Sequence, residues 1–186
     1  MRCVGHGRDG QGGVTASKLL ATSALAEGKY IQAFPEYGPE RMCAPIFSFT
    51  RISKTPIKIH CHVSHPSIVV VLDSTLLRAV DVTEGLTEDG FLIINTEESA
   101  TEIRKKLNLK GRKIYTIDAS KIAQETMGKP LPNTPLIGAL IKVTGLLTLN
   151  NVLADMEDKF KKKLSSKIVE SNINAIKRAY QEVKGE

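Results

Sequence analysis

Cysteine is scarce in this chain of 186 residues: Cys3, Cys43 and Cys61 lie far apart, and no two of them form a C-x-x-C pair. Three isolated thiols are typical of a reducing intracellular environment, and they exclude a cysteine-ligated iron–sulfur cluster held by this chain alone. We expect all three to behave as small buried hydrophobic side chains.

Long apolar runs are also missing. None approaches the roughly 20 residues that a membrane-spanning helix needs, and the first residues, MRCVGHG, lack the apolar core of a secretory signal. We therefore expect a cytoplasmic protein with no membrane partner. The hydrophobic content of 41% is that of a globular protein, and we expect a single domain spanning residues 1–186.

Aromatic residues make up only 5% of the chain, and there is no tryptophan. The net charge of +6 is concentrated near the C-terminus, in DKFKKKLSSKIVESNINAIKRAYQEVK. Because basic clusters without base-stacking aromatics are weak evidence for nucleic-acid binding, we expect no nucleic-acid partner. The lysines form the outer face of a packed helix whose apolar residues repeat at helical spacing: Phe160, Leu164, Ile168, Val169, Ile173, Ile176 and Tyr180.

Glycine, by contrast, is concentrated near the start, in VGHGRDGQGGVTASKLL. Gly5, Gly7 and Gly10 satisfy G-x-G-x-x-G between a short strand at 1–4 and a helix at 14–27. A strand, a glycine turn and a helix N-terminus together form an anion site, because the first N–H groups of a helix are unpaired and its dipole favours negative charge.

The remaining patterns predict strands that alternate with helices, as in a doubly wound α/β sheet that is mostly parallel and has helices on both faces. Ligands bind such sheets beyond the carboxyl ends of the strands, here at the glycine loop, 73–75 and 95–96. The predicted strands are 30–34 (stopped by Pro35), 45–53 and 56–63 (an antiparallel excursion with a hairpin at 54–56), 67–73, 91–95 and 113–118. The predicted helices are 76–82, 100–107 and two or three more near the C-terminus.

Two nucleotide-binding motifs fit the glycine loop poorly. A dinucleotide site also needs an acid at the end of the second strand, where Glu36 follows a proline. A phosphate-binding Walker loop is excluded because no Lys-Ser or Lys-Thr follows the glycines. A free-standing Rossmann-like nucleotide-binding oxidoreductase remains the alternative function.

The stretch HCHVSH invites a zinc hypothesis, because His60 and His62 share one face of a strand and His65 lies close by. The other face of that strand alternates Ile57, Ile59, Cys61 and Val63. The histidines then form a solvent or interface face, and we assign no metal site.

The loop at 34–45, FPEYGPERMCAP, is stiffened by prolines and is dense in hydrogen-bonding groups. Glu36, Tyr37, Glu40 and Arg41 suit a surface that docks a partner protein. A turn closed by its own salt bridges is an equally good interpretation.

Three motifs together resemble the gamma subunit of the 2-oxoacid:ferredoxin oxidoreductases, in the pyruvate and 2-ketoisovalerate branch. They are GHGRDGQGGVTASKLLATSAL, GKYIQAFPEYGPERMCAPIFSFTRIS and PSIVVVLDSTLL…VTEGLTEDGFLIINT, and NTPLIGAL is similar to the family's late Asn-Thr motif. The resemblance covers nearly the whole chain. Asp9 replaces one glycine of the family's G-x-G-G-Q-G loop, and Met42-Cys43 stand where the family often has Arg-Gly.

This resemblance implies oxidative decarboxylation of a 2-oxoacid on thiamine pyrophosphate, with electrons passing through iron–sulfur clusters to ferredoxin and the acyl group captured by coenzyme A. The chain lacks a G-D-G…N thiamine pyrophosphate motif, so this cofactor and the clusters are expected on partner subunits of the alpha, beta and delta types. We assign no catalytic residue to the chain. The resemblance implies that its glycine loop contacts a coenzyme A phosphate or a partner backbone, through Gly7, Arg8, Gly10, Gln11 and Gly12.

Overall fold

A computed structural model describes residues 1–8, 10–37, 45–161 and 165–186. Strands and helices alternate along much of the chain, and a short 3-10 helix at Ser74–Arg78 follows the fourth strand. The strands are β1 (Arg2–Arg8), β2 (Tyr30–Tyr37), β3 (Pro45–Ser53), β4 (Ile68–Val71), β5 (Phe91–Asn95), β6 (Lys113–Ile117) and β7 (Lys184–Gly185). The helices are α1 (Gly13–Ala26), α2 (Ala100–Leu107), α3 (Ala119–Met127), α4 (Asn133–Thr144), α5 (Leu149–Lys161) and α6 (Ser166–Glu182).

The described strands form one seven-stranded sheet in the order β2-β3-β1-β4-β5-β6-β7. β1, β4, β5 and β6 pair in parallel, whereas β3 runs antiparallel to both β1 and β2. β2 and β3 lie on one side of β1, and β4 to β7 lie on the other side. The strand order therefore reverses between β1 and β4. The predicted α/β fold with a mostly parallel sheet is confirmed, and its switch point lies beside the glycine loop.

Apolar side chains cover both faces of the sheet, as buried parallel strands require. On one face, Val70 and Ile93 pack with the side chains of α1, α3, α4, α5 and α6 in the larger core. On the other face, Val71 and Ile94 pack against α2 and the chain around Val82. Helices therefore flank the sheet on both faces, as the sequence predicts.

The prediction that Pro35 ends the second strand is wrong. β2 continues through Pro35 to Tyr37, and Pro35 lies opposite Ser48 of β3. β2 is an edge strand of the sheet. A proline is tolerated there because its missing N–H faces away from the neighbouring strand.

The predicted strand at 56–63 and its hairpin at 54–56 are also wrong, because this segment is irregular. Both edges of β3 are already paired, one with β1 and the other with β2, so no edge remains for a further strand. Of the alternating apolar side chains, Val63 is buried whereas Ile59 is 61% exposed. The antiparallel excursion is confined to 45–53.

The predicted helix at 76–82 is a 3-10 helix at Ser74–Arg78, and four helices rather than two or three follow β6 among the described residues. On the C-terminal helix, Val169 and Ile176 are buried as predicted, whereas Ile168 is 46% exposed and Leu164 lies outside the described residues. No helix within the described ranges has the length and apolar character needed to cross a membrane.

Candidate functional site

The turn that follows β1 is held in shape by backbone conformation and by Gln11. Gly10 and Gly12 have φ values of 81° and 75°, a region that glycine enters without steric cost. The Arg8 backbone N–H donates to Gln11 Oε1 at 2.8 Å, and the Gln11 N–H donates to the Arg8 carbonyl at 3.2 Å. This closed turn sets the start of α1 directly beyond the end of β1.

Asp73, the second residue after β4, fixes the turn from the neighbouring strand. Its Oδ2 accepts hydrogen bonds from Arg8 Nε at 3.1 Å and from Gln11 Nε2 at 3.0 Å. Its Oδ1 accepts from the backbone N–H and the hydroxyl of Thr75, at 2.9 and 2.6 Å. The Arg8 guanidinium also donates to Thr75 Oγ1 at 3.1 Å. The carboxyl ends of β1 and β4 are thereby joined at the switch point.

Electrostatics keep Asp73 ionised. Burial raises the pKa of its carboxyl group, but hydrogen bonds from Thr75 and Gln11 and the charge of Arg8 outweigh burial and leave the pKa below its usual value. The ionised carboxylate orients the Arg8 guanidinium and offsets its charge. The sequence places Asp73 at this edge of the sheet but does not predict its pairing with Arg8. The only sequence feature that points to this pairing is the position of Asp73, an acid that ends an apolar strand at the switch point.

The glycine at position 12 is required by a contact within the chain. A Cβ atom there would overlap the side-chain amide of Asn133, with the amide carbon only 2.8 Å away. Asn133 is the first residue of α4. The N-terminus of α4 therefore lies against that of α1, a proximity that the sequence does not reveal because Gly12 and Asn133 are 121 positions apart.

A cleft of about 330 Å³ opens at this turn. Gly12 caps α1 without a side-chain hydrogen bond, and the first residues of the helix, Gly13–Thr15, line the cleft. Such a helix N-terminus favours an anion. The cleft is lined by Gly5, Gly7, Arg8, Gly10, Gly12, Gly13, Val14, Thr15, Ile46, Ser48 and Leu72.

The structure brings the five predicted loop residues together. Gly7, Arg8, Gly10 and Gly12 line the cleft, whereas the Gln11 side chain turns inward to Asp73. Their predicted contact with coenzyme A or a partner stays a prediction.

The residues predicted to dock a partner are described only in part. Glu36 lies on β2, where its Oε2 is 3.4 Å from His62 Nδ1. Tyr37 is the last residue of β2. Glu40 and Arg41 lie outside the described residues, as does Cys43. The choice between a docking surface and an internally bridged turn therefore stays open.

The histidines at 60–65 lie on the irregular segment rather than on a strand. His60 contacts Gln32, and His65 contacts Ser64. Within the described ranges, His, Cys, Asp and Glu do not gather into a group of three that could hold a metal ion. Cys3 is buried as predicted, but Cys61 is exposed, because the strand expected to bury it does not form.

Comparisons with known proteins agree with this fold. The family model for pyruvate ferredoxin/flavodoxin oxidoreductase matches residues 2–182. The pyruvate/ketoisovalerate oxidoreductases common subunit gamma of Pyrococcus abyssi is 47% identical over 176 residues, covering 95% of this chain and 93% of that protein. Pyruvate synthase subunit PorC of Thermotoga maritima is 45% identical over 179 residues, covering 96% and 92%.

Solved structures give the same result. The crystal structure of pyruvate oxidoreductase subunit PORC from Thermotoga maritima superposes with a TM-score of 0.87 at 41% identity, covering 100% of this chain and 98% of that one. The 2-oxoglutarate:ferredoxin oxidoreductase from Magnetococcus marinus, with 2-oxoglutarate, coenzyme A and succinyl-CoA bound, has a TM-score of 0.75 at 16% identity. It shares the fold, over 97% of this chain and 30% of its own.

These matches favour an oxidoreductase subunit over a free-standing nucleotide-binding enzyme. The family model and the relatives each cover nearly the whole chain, whereas the alternative depends on the glycine motif alone. The chain belongs to the pyruvate ferredoxin/flavodoxin oxidoreductase family, as a gamma-type subunit.

Proposed function

We propose that this chain acts as the gamma subunit of an oxidoreductase for pyruvate or a related 2-oxoacid, and that it helps to form the coenzyme A site. Alpha-, beta- and delta-type subunits complete the complex, and ferredoxin accepts its electrons. Thiamine pyrophosphate on a partner subunit supplies the decarboxylation chemistry, and coenzyme A takes the acyl group. Support comes from near full-length similarity to proteins described as the common gamma subunit and as a pyruvate synthase subunit.

The two cysteines that the structure describes do not fit an iron–sulfur cluster, which supports placing the clusters on partners. Cys3 lies in the core, where burial raises the pKa of its thiol to about 12. Cys61 lies exposed on the irregular segment between β3 and β4. A cluster needs several thiolates converging on one point, and these two cysteines belong to different environments.

The observation that carries the coenzyme A proposal is the helix N-terminus that faces the cleft at the switch point. In an α/β sheet this is the place where ligands bind, and the terminus of α1 carries only glycine at its cap. Arg8 lines the same cleft and is oriented by Asp73 before any ligand arrives. Coenzyme A brings phosphate groups to the complex, and one of them is the anion that we propose for this cleft.

The test is Arg8→Ala in the assembled complex. Loss of a hydrogen bond to a charged group costs about 1.5–3 kcal/mol, so we expect the KM for coenzyme A to rise at least tenfold. The KM for pyruvate should not change, because the oxoacid reacts on a partner subunit. Arg2→Ala is the matched control, since Arg2 is exposed and lies at the opposite end of β1.

An unchanged KM for coenzyme A in the Arg8→Ala complex would contradict the coenzyme A role. If that complex also dissociates more readily than the wild-type complex, the loop contacts a partner backbone instead. If assembly and KM are both unchanged, the loop is purely structural.

A further inference from the structure

A second cleft, of about 390 Å³, lies on the face of the sheet opposite α1. Alternate residues of the paired strands point into it, with His6 of β1 opposite Phe47 of β3, and Phe47 opposite Glu36 of β2. Among the described elements no helix covers this part of the sheet. Among the described residues, the irregular segment reaches it through His62 and Val63, and the chain after the 3-10 helix reaches it through Val80, Asp81 and Glu84. We call it the acidic cleft.

The charge of the acidic cleft opposes that of the whole chain. The chain carries 26 lysines and arginines against 20 acidic residues. The described lining nevertheless contains three carboxylates, Glu36, Asp81 and Glu84, and neither lysine nor arginine. This local reversal of sign favours a cationic ligand.

None of these carboxylates forms an ion pair with a lysine or arginine of the described residues, although the charge of Arg112 helps to lower the pKa of Asp81. Glu84 makes no side-chain hydrogen bond or ion pair with the described residues, and Asp81 bonds only to Thr83, which donates its N–H at 2.9 Å and its hydroxyl at 2.7 Å. Glu36 contacts a ring nitrogen of His62 rather than a lysine or arginine. The negative charge of the cleft is thus available to a group that arrives from outside.

Flat rings form the walls between these acids. The Phe49 and His62 rings stack with centroids 5.3 Å apart and planes 4° apart. The His6 and Phe47 rings meet edge to face at 5.0 Å. A planar cation gains from lying over such faces, and guanidinium is the planar cation of proteins.

The floor of the cleft holds a ring nitrogen that has no hydrogen-bond partner within the described part of the chain. His6 is 6% exposed, and its Nδ1 has no hydrogen-bond partner among the described residues. Burial lowers the pKa of this imidazole to about 4, opposed by the charge of Asp81, so the ring is neutral at physiological pH. A neutral ring keeps one nitrogen as an acceptor, which the N–H of an entering group would satisfy.

We propose that the acidic cleft receives an arginine side chain from a partner subunit. The guanidinium would stack on the aromatic walls and donate to Glu84 and Asp81, a combination that the compact lysine ammonium does not offer. This inference depends on the proposed function, in which the chain works within a complex. The cleft also adjoins the proposed docking loop, because Glu36 belongs to both.

The first test measures assembly. Glu84→Lys places a like charge in the path of the arginine, so the dissociation constant between this chain and its partner subunits should rise at least about 30-fold. Glu88→Lys is the matched control, an exposed acid outside the cleft, and should change the constant less than threefold. Equal affinity of the Glu84→Lys chain and the wild type would overturn the proposal.

The second test needs no partner, so it separates this proposal from the proposed function. N-acetyl-arginine amide is titrated into the isolated chain while the ring resonances of its four histidines are followed by NMR. The His62 and His6 signals should shift while that of His65 stays in place, and Glu84→Gln should weaken the response. N-acetyl-citrulline amide, of the same shape but uncharged, should have little effect. Equal shifts with both compounds, or none with arginine, would contradict an arginine site even where the complex forms normally.

Discussion

Gly12 shows how one residue serves both the turn and the packing of two helices. Gly10 and Gly12 both have positive φ, but a Cβ would meet open space at Gly10 and the amide of Asn133 at Gly12. The two glycines look alike in the sequence. Only the fold, which brings α4 beside α1, distinguishes them.

Replacing each glycine by alanine measures this difference. We expect Gly10→Ala to lower the free energy of unfolding by about 1–2 kcal/mol through its backbone conformation alone. Gly12→Ala should cost about 1–3 kcal/mol more because of the overlap with Asn133. Adding Asn133→Ala to Gly12→Ala should recover part of that excess. Urea denaturation of the four chains is the measurement, and equal costs for the two glycine variants would show that Asn133 does not constrain position 12.

His6 makes stability depend on pH. Burial lowers its pKa to about 4, from its usual value of 6.5. Above pH 6.5 the ring is neutral in both states, so its contribution to stability is fully present. As the pH falls from 6.5 to 4 the unfolded chain takes up a proton that the folded chain refuses, and this contribution is lost.

The variant that tests this titration is His6→Leu. As the pH falls from 6.5 to 4, the free energy of unfolding of this variant should decrease less steeply than that of the wild type. The two slopes should differ by up to about 1.4 kcal/mol per pH unit. Urea denaturation across this pH range is the measurement, with His65→Gln as a control on an exposed histidine. Parallel pH profiles for the wild type and His6→Leu would show that another group causes the loss.

At the scale of elements, the sequence predicts best where local signals agree with the packing. α2 begins and ends where predicted, because Ser99 and Glu102 form a reciprocal capping box and Asn108 ends the helix in the left-handed region. β5 is also placed to the residue, since a short apolar run between turn residues suits a strand buried on both faces.

Prediction fails where a distant partner decides the structure. The alternation at 56–63 fits a strand, but β3 has no free edge to pair with it. Pro35 is compatible with a strand only because β2 lies at the sheet edge. The helical pattern of NTPLIGAL predicts α4, but not that a Cβ on Gly138 would overlap the backbone carbonyl of Ile176 in α6. The site shows the same limit, since the loop was predicted and its links to Asp73 and Asn133 were not.

The loop between β2 and β3 provides a test at this scale. If it docks a partner, the double variant Tyr37→Ala with Arg41→Ala should change the free energy of unfolding by no more than about 0.5 kcal/mol. Assembly with partner subunits should weaken by about 2 kcal/mol or more, as for interface anchors of these types. Tyr30→Ala, an exposed tyrosine at the other end of β2, is the matched control. A large loss of stability with intact assembly would favour the internally bridged turn.

At the scale of the whole molecule, the three candidate contact regions group around β1, β2 and β3. The glycine cleft and the acidic cleft are both lined by residues of β1 and β3, the acidic cleft also by Glu36 of β2 and Val69 of β4, and the predicted docking loop follows β2 in the sequence. This arrangement suits a subunit that contributes surfaces to an active site completed by other chains.

The most direct measurement of this account is pyruvate-dependent reduction of ferredoxin in the presence of coenzyme A, with the purified chain alone and after mixing with its partner subunits. The account predicts no turnover by the single chain, because it assigns the decarboxylation and electron-transfer chemistry to the partners. It predicts turnover when the chain completes an assembly that lacks it. Turnover by the chain alone, or equal turnover by the partner subunits without it, would contradict the account.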